Sequence, residues 1–304
     1  MIKVKTFSTE EWKAQRQRGL GGSDAAAAIG LNRWKSPLRL FMEKIGEVDN
    51  NIADEKIYWG TMLESIVASE FEKRTGTKVR RVNQILISED HPFMLANIDR
   101  KVEGEEALLE CKTTSQYNER EWEEDQIPIE YLIQVTHYLA VTGYQHAYIA
   151  VLIGGNKFVS KEIQRDEELI NMLIEKETAF WHFVETRTAP SIDGSQDASM
   201  ILDYLYPHSS TIAINMPKLD PLVDDLFNIR KQIKELEDLA SKKENQIKEQ
   251  MKDAERLTTG GYIVNWKSIT SKRLDTAALK VNEPDTYSKY VKESTSRRFE
   301  IKEA

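Results

Sequence analysis

The chain has 304 residues, of which 40% are hydrophobic and 30% charged, and these proportions exclude a disordered or fibrous protein. The formal net charge of −8 argues against binding a polyanion, but the segments 1–46 and 265–304 both lean basic, which is compatible with a local DNA groove on an acidic body. A single cysteine, Cys111, excludes an intramolecular disulfide framework and any four-cysteine zinc or iron–sulfur site.

The sequence lacks the marks of a membrane or secreted protein. No apolar run approaches the roughly 20 residues that a membrane helix needs. The first five residues, Met1 to Lys5, do not contain the apolar segment of a secretory signal. Together with the use of a single cysteine, this predicts a cytoplasmic protein with no membrane partner.

The N-terminal segment predicts a series of helices. Ser8 followed by Glu11 is typical of a helix N-cap, and Ser36-Pro37 and Gly46 are typical of the two ends of a helix. The predicted helices run from Ser8 to about Arg18, from Ala25 to Ile29, from Ser36 to Gly46 and from Gly60 to Arg74, with a loop at 47–56.

Alternating strands and helices follow. Turn-like residues separate the predicted strands, and glycines close the predicted helices. The strands are placed at 79–88, 93–102, 108–113, 147–153 and 157–164, and the helices at 128–141 and 166 to about 187. This order predicts an α/β (α+β) core over residues 1–190, with a mixed central sheet flanked by helices.

The character of the sequence changes after a predicted loop at 188–217. Asp220-Pro221 is a typical helix start, and apolar residues then recur every three or four positions to about residue 256. We therefore divide the remainder into a connecting loop (191–217), a long coiled-coil-like helical arm (218–257) and a C-terminal extension (258–304). In the extension, 262–269 and 297–302 are predicted strands.

One group of residues has the composition of a metal-dependent hydrolytic site. In a strand, Glu110 and Lys112 point to the same face, and a hairpin through the turn at 103–106 would bring Asp99 beside Glu110. Mg²⁺ prefers carboxylate oxygens and leaves positions for water and a phosphate. Glu64 and Gln134, with Tyr131 one helical turn before Gln134, come from the flanking helices. Taken alone, the Glu-x-Lys pattern is more typical of an ion pair on a sheet surface than of a metal site.

At this point the sequence resembles the PD-(D/E)xK nuclease superfamily, and within it the lambda-type exonucleases and the YqaJ-type viral recombinases. The resemblance covers residues 8 to about 155, although Ile98 stands where the superfamily name has proline. It rests on the motifs Trp12-Lys13-Ala14-Gln15-Arg16, Gly21-Gly22-Ser23-Asp24, Trp34-Lys35-Ser36-Pro37, Trp59-Gly60-Thr61-Met62-Leu63-Glu64, Asn97-Ile98-Asp99, Leu109-Glu110-Cys111-Lys112 and Tyr131-Leu132-Ile133-Gln134-Val135.

The resemblance implies a restriction-endonuclease-like core and a role for each matched residue. Asp99, Glu110 and the Cys111 backbone carbonyl would ligate Mg²⁺, for which Mn²⁺ would substitute, and Lys112 would serve the attacking water. Glu64, through a bridging water, and Gln134 would support this site, with Tyr131 beside them. Arg16 and Ser23 match positions that hold the 5′-phosphate of a DNA end.

The resemblance also implies the biological setting. The protein would be a phage- or prophage-encoded exonuclease in a bacterial cytoplasm, which degrades linear double-stranded DNA from 5′ to 3′. The resulting 3′ single strands would pass to a single-strand annealing protein, and the enzyme would be a homo-oligomer. Two alternatives stay open: a PD-(D/E)xK endonuclease, and a non-catalytic scaffold that binds DNA ends.

Two residue types are not expected to act directly. None of the five histidines has a partner four positions away, so the sequence predicts no histidine metal site. The Cys111 side chain is predicted to be a small core residue whose backbone alone takes part in chemistry.

Overall fold

The computed structural model describes residues 1–5, 8–48, 55–293 and 297–302. The chain divides into two compact units, Met1–Leu205 and Tyr206–Ala304. Within the described ranges, no helix is long and apolar enough to cross a membrane.

The first unit contains nine strands and seven helices within its described residues. The strands are β1 (Ile2–Val4), β2 (Leu20–Gly21), β3 (Val79–Arg81), β4 (Ile85–Ile87), β5 (Met94–Ala96), β6 (Arg100–Val102), β7 (Ala107–Thr114), β8 (His146–Ile153) and β9 (Lys157–Gln164). The helices are α1 (Thr9–Gln17), α2 (Gly22–Ala28), α3 (Pro37–Lys44), α4 (Glu55–Thr75), α5 (Ile129–Thr142), α6 (Glu167–Thr186) and α7 (Gln196–Leu205), and a 3₁₀ turn spans Gln116–Trp122.

A five-stranded mixed sheet, in the order β3-β6-β7-β8-β9, organises this unit. The β7–β8 pair is parallel and the other pairs are antiparallel. Parallel neighbours need a crossover connection, and the 3₁₀ turn and α5 supply it. The predicted α/β class, with a mixed central sheet flanked by helices, is confirmed.

The central strand β7 divides its side chains between two layers of helices. Leu108 packs in the cluster that contains Val135 of α5. Leu109 packs on the opposite face with Phe71 of α4. Because successive strand residues alternate between faces, Glu110 and Lys112 share the α5 side with Leu108, whereas Cys111 lies on the α4 side.

A second sheet has the order β1-β4-β5-β2. Two short connections join it to the first sheet, one between β3 and β4 and one between β5 and β6. The sequence predicted continuous strands over 79–88 and 93–102, and this is wrong. Each segment forms two three-residue strands that belong to different sheets. Alternating hydrophobicity does not reveal where a strand changes sheets.

The predicted helices of the first unit agree with the structure except at the start of α2, which begins at Gly22 instead of Ala25, and at the start of α4. Ser8 and Ser36 cap α1 and α3, with their side chains accepting from the backbone N–H groups of Glu11 and Arg39 at 3.1 Å. Helix α4 begins at Glu55 instead of Gly60. Of the predicted loop at 47–56, residues 49–54 lie outside the described part of the chain.

Helix α7 occupies part of the segment that the sequence predicted to be a loop at 188–217. Ala198 and Ile201 are buried, and Asp197 accepts hydrogen bonds from Ser36 and Arg39 near the start of α3. The sequence carries a local signal for this helix, with Ser195 as an N-cap and apolar residues at 198, 201, 202 and 205, which the prediction of a loop overlooked. The ion pair that holds α7 on α3 spans 158 positions of sequence. A local pattern does not contain that contact.

The second unit contains a 3₁₀ turn (Pro217–Leu219), α8 (Asp220–Met251), the antiparallel hairpin of β10 (Arg256–Thr259) and β11 (Tyr262–Asn265), α9 (Thr276–Asn282) and α10 (Pro284–Tyr290). The predicted long helix is present but ends at Met251, five residues before the predicted end. The predicted strand at 262–269 is shorter, and the strand predicted at 297–302 is wrong, because those residues form no regular element.

A fully buried ion pair joins α5 to α6 in the first unit. The Nδ1 atom of His137 lies 2.8 Å from Oε1 of Glu177, and Nε2 lies 2.9 Å from the carbonyl oxygen of Leu95 in β5. The Leu95 carbonyl oxygen and an ionised Glu177 both accept hydrogen bonds, so these partners favour an imidazolium ring in which both nitrogens donate. Burial lowers the pKa of His137, but the charge of Glu177 together with the hydrogen bonds to Glu177 and Leu95 outweighs it and the pKa is raised.

The raised pKa of His137 gives the fold a predicted pH dependence. Its stabilisation is fully present below the unfolded value of about 6.5 and is lost as the pH rises through the higher folded value. We expect Glu177→Gln to lower the free energy of unfolding at pH 6 by about 3–5 kcal/mol and to flatten its decline at alkaline pH. Urea unfolding from pH 6 to alkaline pH measures both the loss of stability and the change in its pH dependence.

The control is Glu168→Gln, an exposed change on the same helix. It should leave the stability and its pH profile within about 0.5 kcal/mol of the parent chain. A Glu177→Gln protein that keeps the parent's alkaline slope would contradict this role for the pair.

Candidate active site

The site forms where β6 and β7 separate. The backbone pairing of β6 and β7 ends at Arg100 and Leu109, so the next two residues, Asp99 and Glu110, do not pair with each other. Asp99 fills the gap, because its Oδ2 accepts the backbone N–H of Cys111 at 2.8 Å. The structure thus places the Asp99 carboxylate beside Glu110, as the predicted hairpin required.

The second carboxylate belongs to a buried chain of hydrogen bonds. Oε1 of Glu110 accepts from Nζ of Lys112 at 2.7 Å and from Nε2 of Gln134 at 2.6 Å. The same Lys112 Nζ donates to Oε1 of Gln134 at 2.9 Å, and Gln134 Nε2 lies 3.0 Å from the hydroxyl of Tyr138. Strand β7 and helix α5 therefore hold the orientation of Glu110 together.

The charges around Asp99 and Glu110 suit a bound cation. Burial, and next the negative charge of Glu110, raise the pKa of Asp99 well above its usual value. Oε2 of Glu110 is buried and has no hydrogen-bond partner. A hard divalent cation would relieve both the repulsion and the unsatisfied oxygen, so this pair of side chains fits Mg²⁺. Within the described ranges, however, no three acidic, histidine or cysteine side chains already form a metal cage.

Glu64 lies near this pair but is held by another partner. Its carboxylate forms a short ion pair with Arg100, whose guanidinium also donates to the carbonyl oxygen of Asp99 at 2.8 Å. Glu64 and Asp99 together line a cleft of about 390 Å³, whose other walls carry polar and apolar side chains in equal number. The cleft gives a substrate access to the Asp99 side of the site. Its remaining lining is Trp12, Arg81, Val82, Asn83, Gln84, Ile85, Asn97 and Ile98.

Arg16 and Ser23 meet at the other end of the site, on α1 and α2. Arg16 Nη2 donates to the Ser23 hydroxyl at 2.9 Å and lies 3.5 Å from Asp24 Oδ2. The buried Lys44 lies beside them, and we call the group of Arg16, Ser23, Asp24 and Lys44 the Arg16 corner. Lys44 stabilises this corner because its Nζ donates to Asp24 at 2.8 Å and to the carbonyl oxygens of Arg16 and Gly19. Although burial raises it, the charges of Lys44, Arg16 and Lys35 hold the pKa of Asp24 well below its usual range.

Gly22 connects this corner to the hydrogen-bonded chain on α5. A Cβ atom at Gly22 would lie 2.5 Å from Cε1 of Tyr138 and 3.0 Å from the carbonyl oxygen of Gln134. Only glycine permits so close an approach. The corner that holds Arg16 and Ser23 therefore packs directly on the helix that orients Glu110.

The remaining predicted residues lie around Lys112. The Nζ atom of Lys112 lies 5.0 Å from the centre of the Tyr131 ring, and the Trp122 ring stacks on Tyr131 with 5.7 Å between the ring centres. On the opposite face of β7, burial and the charges of Asp99 and Glu110 raise the pKa of the Cys111 thiol, which keeps it protonated and a poor nucleophile.

Sequence reasoning missed four residues that support the site: Tyr138, Lys44, Asp24 and Arg100. Tyr138 lies one helical turn after Gln134, so helical periodicity alone places it on the same face. Arg100 follows Asp99 directly, but nothing in its local sequence identifies Glu64, 36 positions away, as its partner. The same is true of Lys44, whose partners lie 20 to 28 positions earlier.

The chain is similar to known proteins in sequence and in fold. The YqaJ-like viral recombinase domain matches residues 11–145. The protein YqaJ of Bacillus subtilis strain 168 is 47% identical over 100% of this chain and 97% of its own length. Two crystal structures of an alkaline exonuclease, LHK-Exo of Laribacter hongkongensis, share the fold with a TM-score of 0.50 each. The structure in complex with dAMP is 21% identical, and the match covers 59% of this chain and 94% of the exonuclease chain. The other structure is 19% identical, and the match covers 65% of this chain and 100% of the exonuclease chain.

The close packing at Gly22 generates a prediction. Gly22→Ala places a methyl group inside the contact distance of Tyr138, so α2 and α5 must separate, and we expect a loss of about 1–3 kcal/mol of unfolding free energy. The control is Gly194→Ala, where an added Cβ meets nothing within 4 Å. Urea unfolding of both variants tests the contact, and equal stability of the two would show that α2 does not pack on Tyr138.

Proposed function

The chain belongs to the family of YqaJ-like viral recombinases, and on that premise we propose that it is a magnesium-dependent exonuclease of linear double-stranded DNA. The observation that carries the proposal is the pair of adjacent carboxylates, Asp99 and Glu110, with the unpartnered Glu110 Oε2 and the Lys112 ammonium beside them. A phosphodiester hydrolase needs this combination of a cation site and a positioned donor.

In this proposal, Asp99, Glu110 and the backbone carbonyl of Cys111 hold Mg²⁺, and Mn²⁺ substitutes for it. When bound, the ion would neutralise charge on the scissile phosphate and make a water molecule easier to deprotonate. Glu64, which lines the same cleft as Asp99, contributes through a bridging water. Its ion pair with Arg100 fixes the position of that carboxylate relative to the Asp99 backbone.

Lys112 acts as a donor to the reacting groups. Its Nζ donates hydrogen bonds to Glu110 Oε1 and Gln134 Oε1, and these two bonds fix the ammonium at the edge of the carboxylate pair. From there the ammonium orients the attacking water and stabilises the negative charge that develops on the phosphate oxygens. Gln134 positions both Glu110 and Lys112, and Tyr138 positions Gln134 in turn.

Arg16 and Ser23 bind the 5′-phosphate of the DNA end. A guanidinium and a hydroxyl both donate to phosphate oxygens, and the hydrogen bond between Arg16 and Ser23 supports the proposal because it brings the two groups side by side. Lys44 neutralises the neighbouring Asp24, so the corner as a whole does not repel a phosphate. Holding a 5′ end beside the carboxylate pair would set the polarity as 5′ to 3′.

The products of such degradation are 3′ single-stranded tails. A viral recombinase that pairs homologous strands requires these tails, so the proposed partner is a single-strand annealing protein of the same recombination system. The setting is a bacterial cell that carries the phage or prophage. The similar alkaline exonuclease from Laribacter hongkongensis supports the exonuclease class of the proposal.

Degradation of linear and covalently closed duplex DNA with Mg²⁺ tests the reaction. We expect release of nucleotides from the linear form alone, and a rate loss on the order of a thousandfold in Asp99→Ala, since a metal contributes several kcal/mol and each 1.36 kcal/mol is a factor of ten. The matched control is Glu103→Ala, an exposed carboxylate of the same hairpin. Equal attack on closed circles would instead identify an endonuclease. Binding of ends without nucleotide release would identify a scaffold.

A second comparison tests the phosphate-binding corner. Arg16→Ala should slow degradation of 5′-phosphorylated ends by about ten- to a hundredfold, the value of a charge-assisted hydrogen bond, and slow 5′-hydroxyl ends much less. Arg18→Ala, an exposed arginine at the end of the same helix, is the control. The same loss on both kinds of end would refute the role of Arg16.

A further inference from the structure

Trp34 is a large aromatic residue that the loop between α2 and α3 carries at the surface. Its side chain is 56% exposed. The loop is fixed, because the side-chain oxygen of Asn32 accepts the backbone N–H groups of Trp34 and Lys35 at 2.8 and 3.0 Å. Exposure alone does not indicate a site, since single apolar side chains are common on protein surfaces. Two further contacts distinguish Trp34.

The first contact is with Arg33, which supports the indole ring from one side. The Arg33 guanidinium lies over the Trp34 ring, 5.1 Å from the centroid. Two carboxylates hold the edge of this guanidinium. It donates to both oxygens of Glu121 at 2.7 and 2.9 Å, and its Nε lies 2.7 Å from Oε1 of Glu130. Arg33 is therefore engaged by carboxylates instead of a phosphate, and its flat face holds the indole ring in place for a second flat group.

The second contact is with Tyr131, which links Trp34 to the candidate active site. The centre of the Tyr131 ring lies 6.5 Å from that of Trp34, and the two planes are tilted by 39°. The same ring lies 5.0 Å from Nζ of Lys112. Trp34 is thus separated by a single aromatic ring from the ammonium that the proposed function places at the scissile phosphate.

Contacts along α5 give the order in which a DNA strand would meet these groups. The corner proposed to bind the 5′-phosphate packs on Tyr138. Lys112 donates to Gln134, about one helical turn earlier, and Trp34 contacts Tyr131, about one turn earlier again. The first nucleotide of the strand lies between its 5′-phosphate and the scissile phosphate. Trp34 lies beyond the scissile phosphate in this order, on the side of the second nucleotide.

We propose that Trp34 stacks on the base of the second nucleotide from the 5′ end of the strand that is cut. This contact rests on the proposed exonuclease function and adds a positioning residue to it. When the first nucleotide enters the site, the second base loses its stacking neighbour, and the indole ring takes that place. Every base has a flat π face, so the contact holds the scissile phosphate beside Lys112 without a preference for sequence.

Binding of 5′-phosphorylated duplexes that lack one base tests the contact. Ca²⁺, which takes carboxylate oxygens as ligands, replaces Mg²⁺ so that binding is measured apart from cleavage. Removal of the second base should weaken binding to the parent protein about five- to a hundredfold more than binding to Trp34→Ala, since this is the value of stacking a base on an aromatic ring. The comparison of the two losses isolates the contact from any change in the DNA itself.

Two variants and one further duplex are the controls. Trp34→Phe keeps a flat ring and should keep most of the coupling to the second base. Trp266→Ala should bind as the parent does, although Trp266 is also exposed, at 44%, and also has a cation over its ring, Lys248. Removal of the tenth base should affect the parent and Trp34→Ala equally. The urea midpoint of Trp34→Ala should equal that of the parent, which shows that the variant is folded.

The outcomes separate this contact from the proposed function. Equal losses in the parent and Trp34→Ala on removal of the second base would overturn the proposal. Coupling to the first base instead would also overturn it, because Trp34 would then hold the leaving nucleotide. Coupling to the second base without release of nucleotides in Mg²⁺ would support the contact and refute the nuclease activity alone.

Discussion

The hydrogen bond from the Cys111 backbone to the Asp99 carboxylate is the contact on which the candidate site depends. It exists because β6 and β7 stop pairing after Arg100 and Leu109. A continued ladder would satisfy the Cys111 N–H with a backbone carbonyl and leave Asp99 without that donor. The separation of the two strands therefore places one carboxylate at the opening, and the alternation of β7 places the second carboxylate and Lys112 beside it.

Hydrogen bonds from neighbouring side chains offset part of the free-energy cost of burying these charges. Gln134 and Lys112 satisfy one oxygen of Glu110, while the other remains without a partner. An unpaired buried oxygen costs about 1–3 kcal/mol or more, which is stability given up at a position where a cation would recover it. Gly22 brings the Arg16 corner onto the same helix, so the groups proposed to bind the DNA end and those proposed to cut it share α5 as a support.

The sequence predicted those parts of the fold that local patterns encode. The caps at Ser8 and Ser36, the period of α5 and the Glu-x-Lys face of β7 all follow from neighbouring residues, and the family motifs supplied the roles. The breaks in 79–88 and 93–102 and the Glu64–Arg100 ion pair depend on residues far apart in sequence. The packing of α7 is likewise long-range, because Asp197 finds its partners near α3, although the helix itself has a local apolar pattern that the prediction overlooked.

The most direct measurement of the central claim is the anomalous scattering of Mn²⁺ in crystals of this protein. The account predicts a peak within about 2.0–2.2 Å of oxygen atoms from both Asp99 and Glu110, and its loss in Asp99→Asn. A peak bound elsewhere, or no peak between these two carboxylates at saturating Mn²⁺, would contradict it.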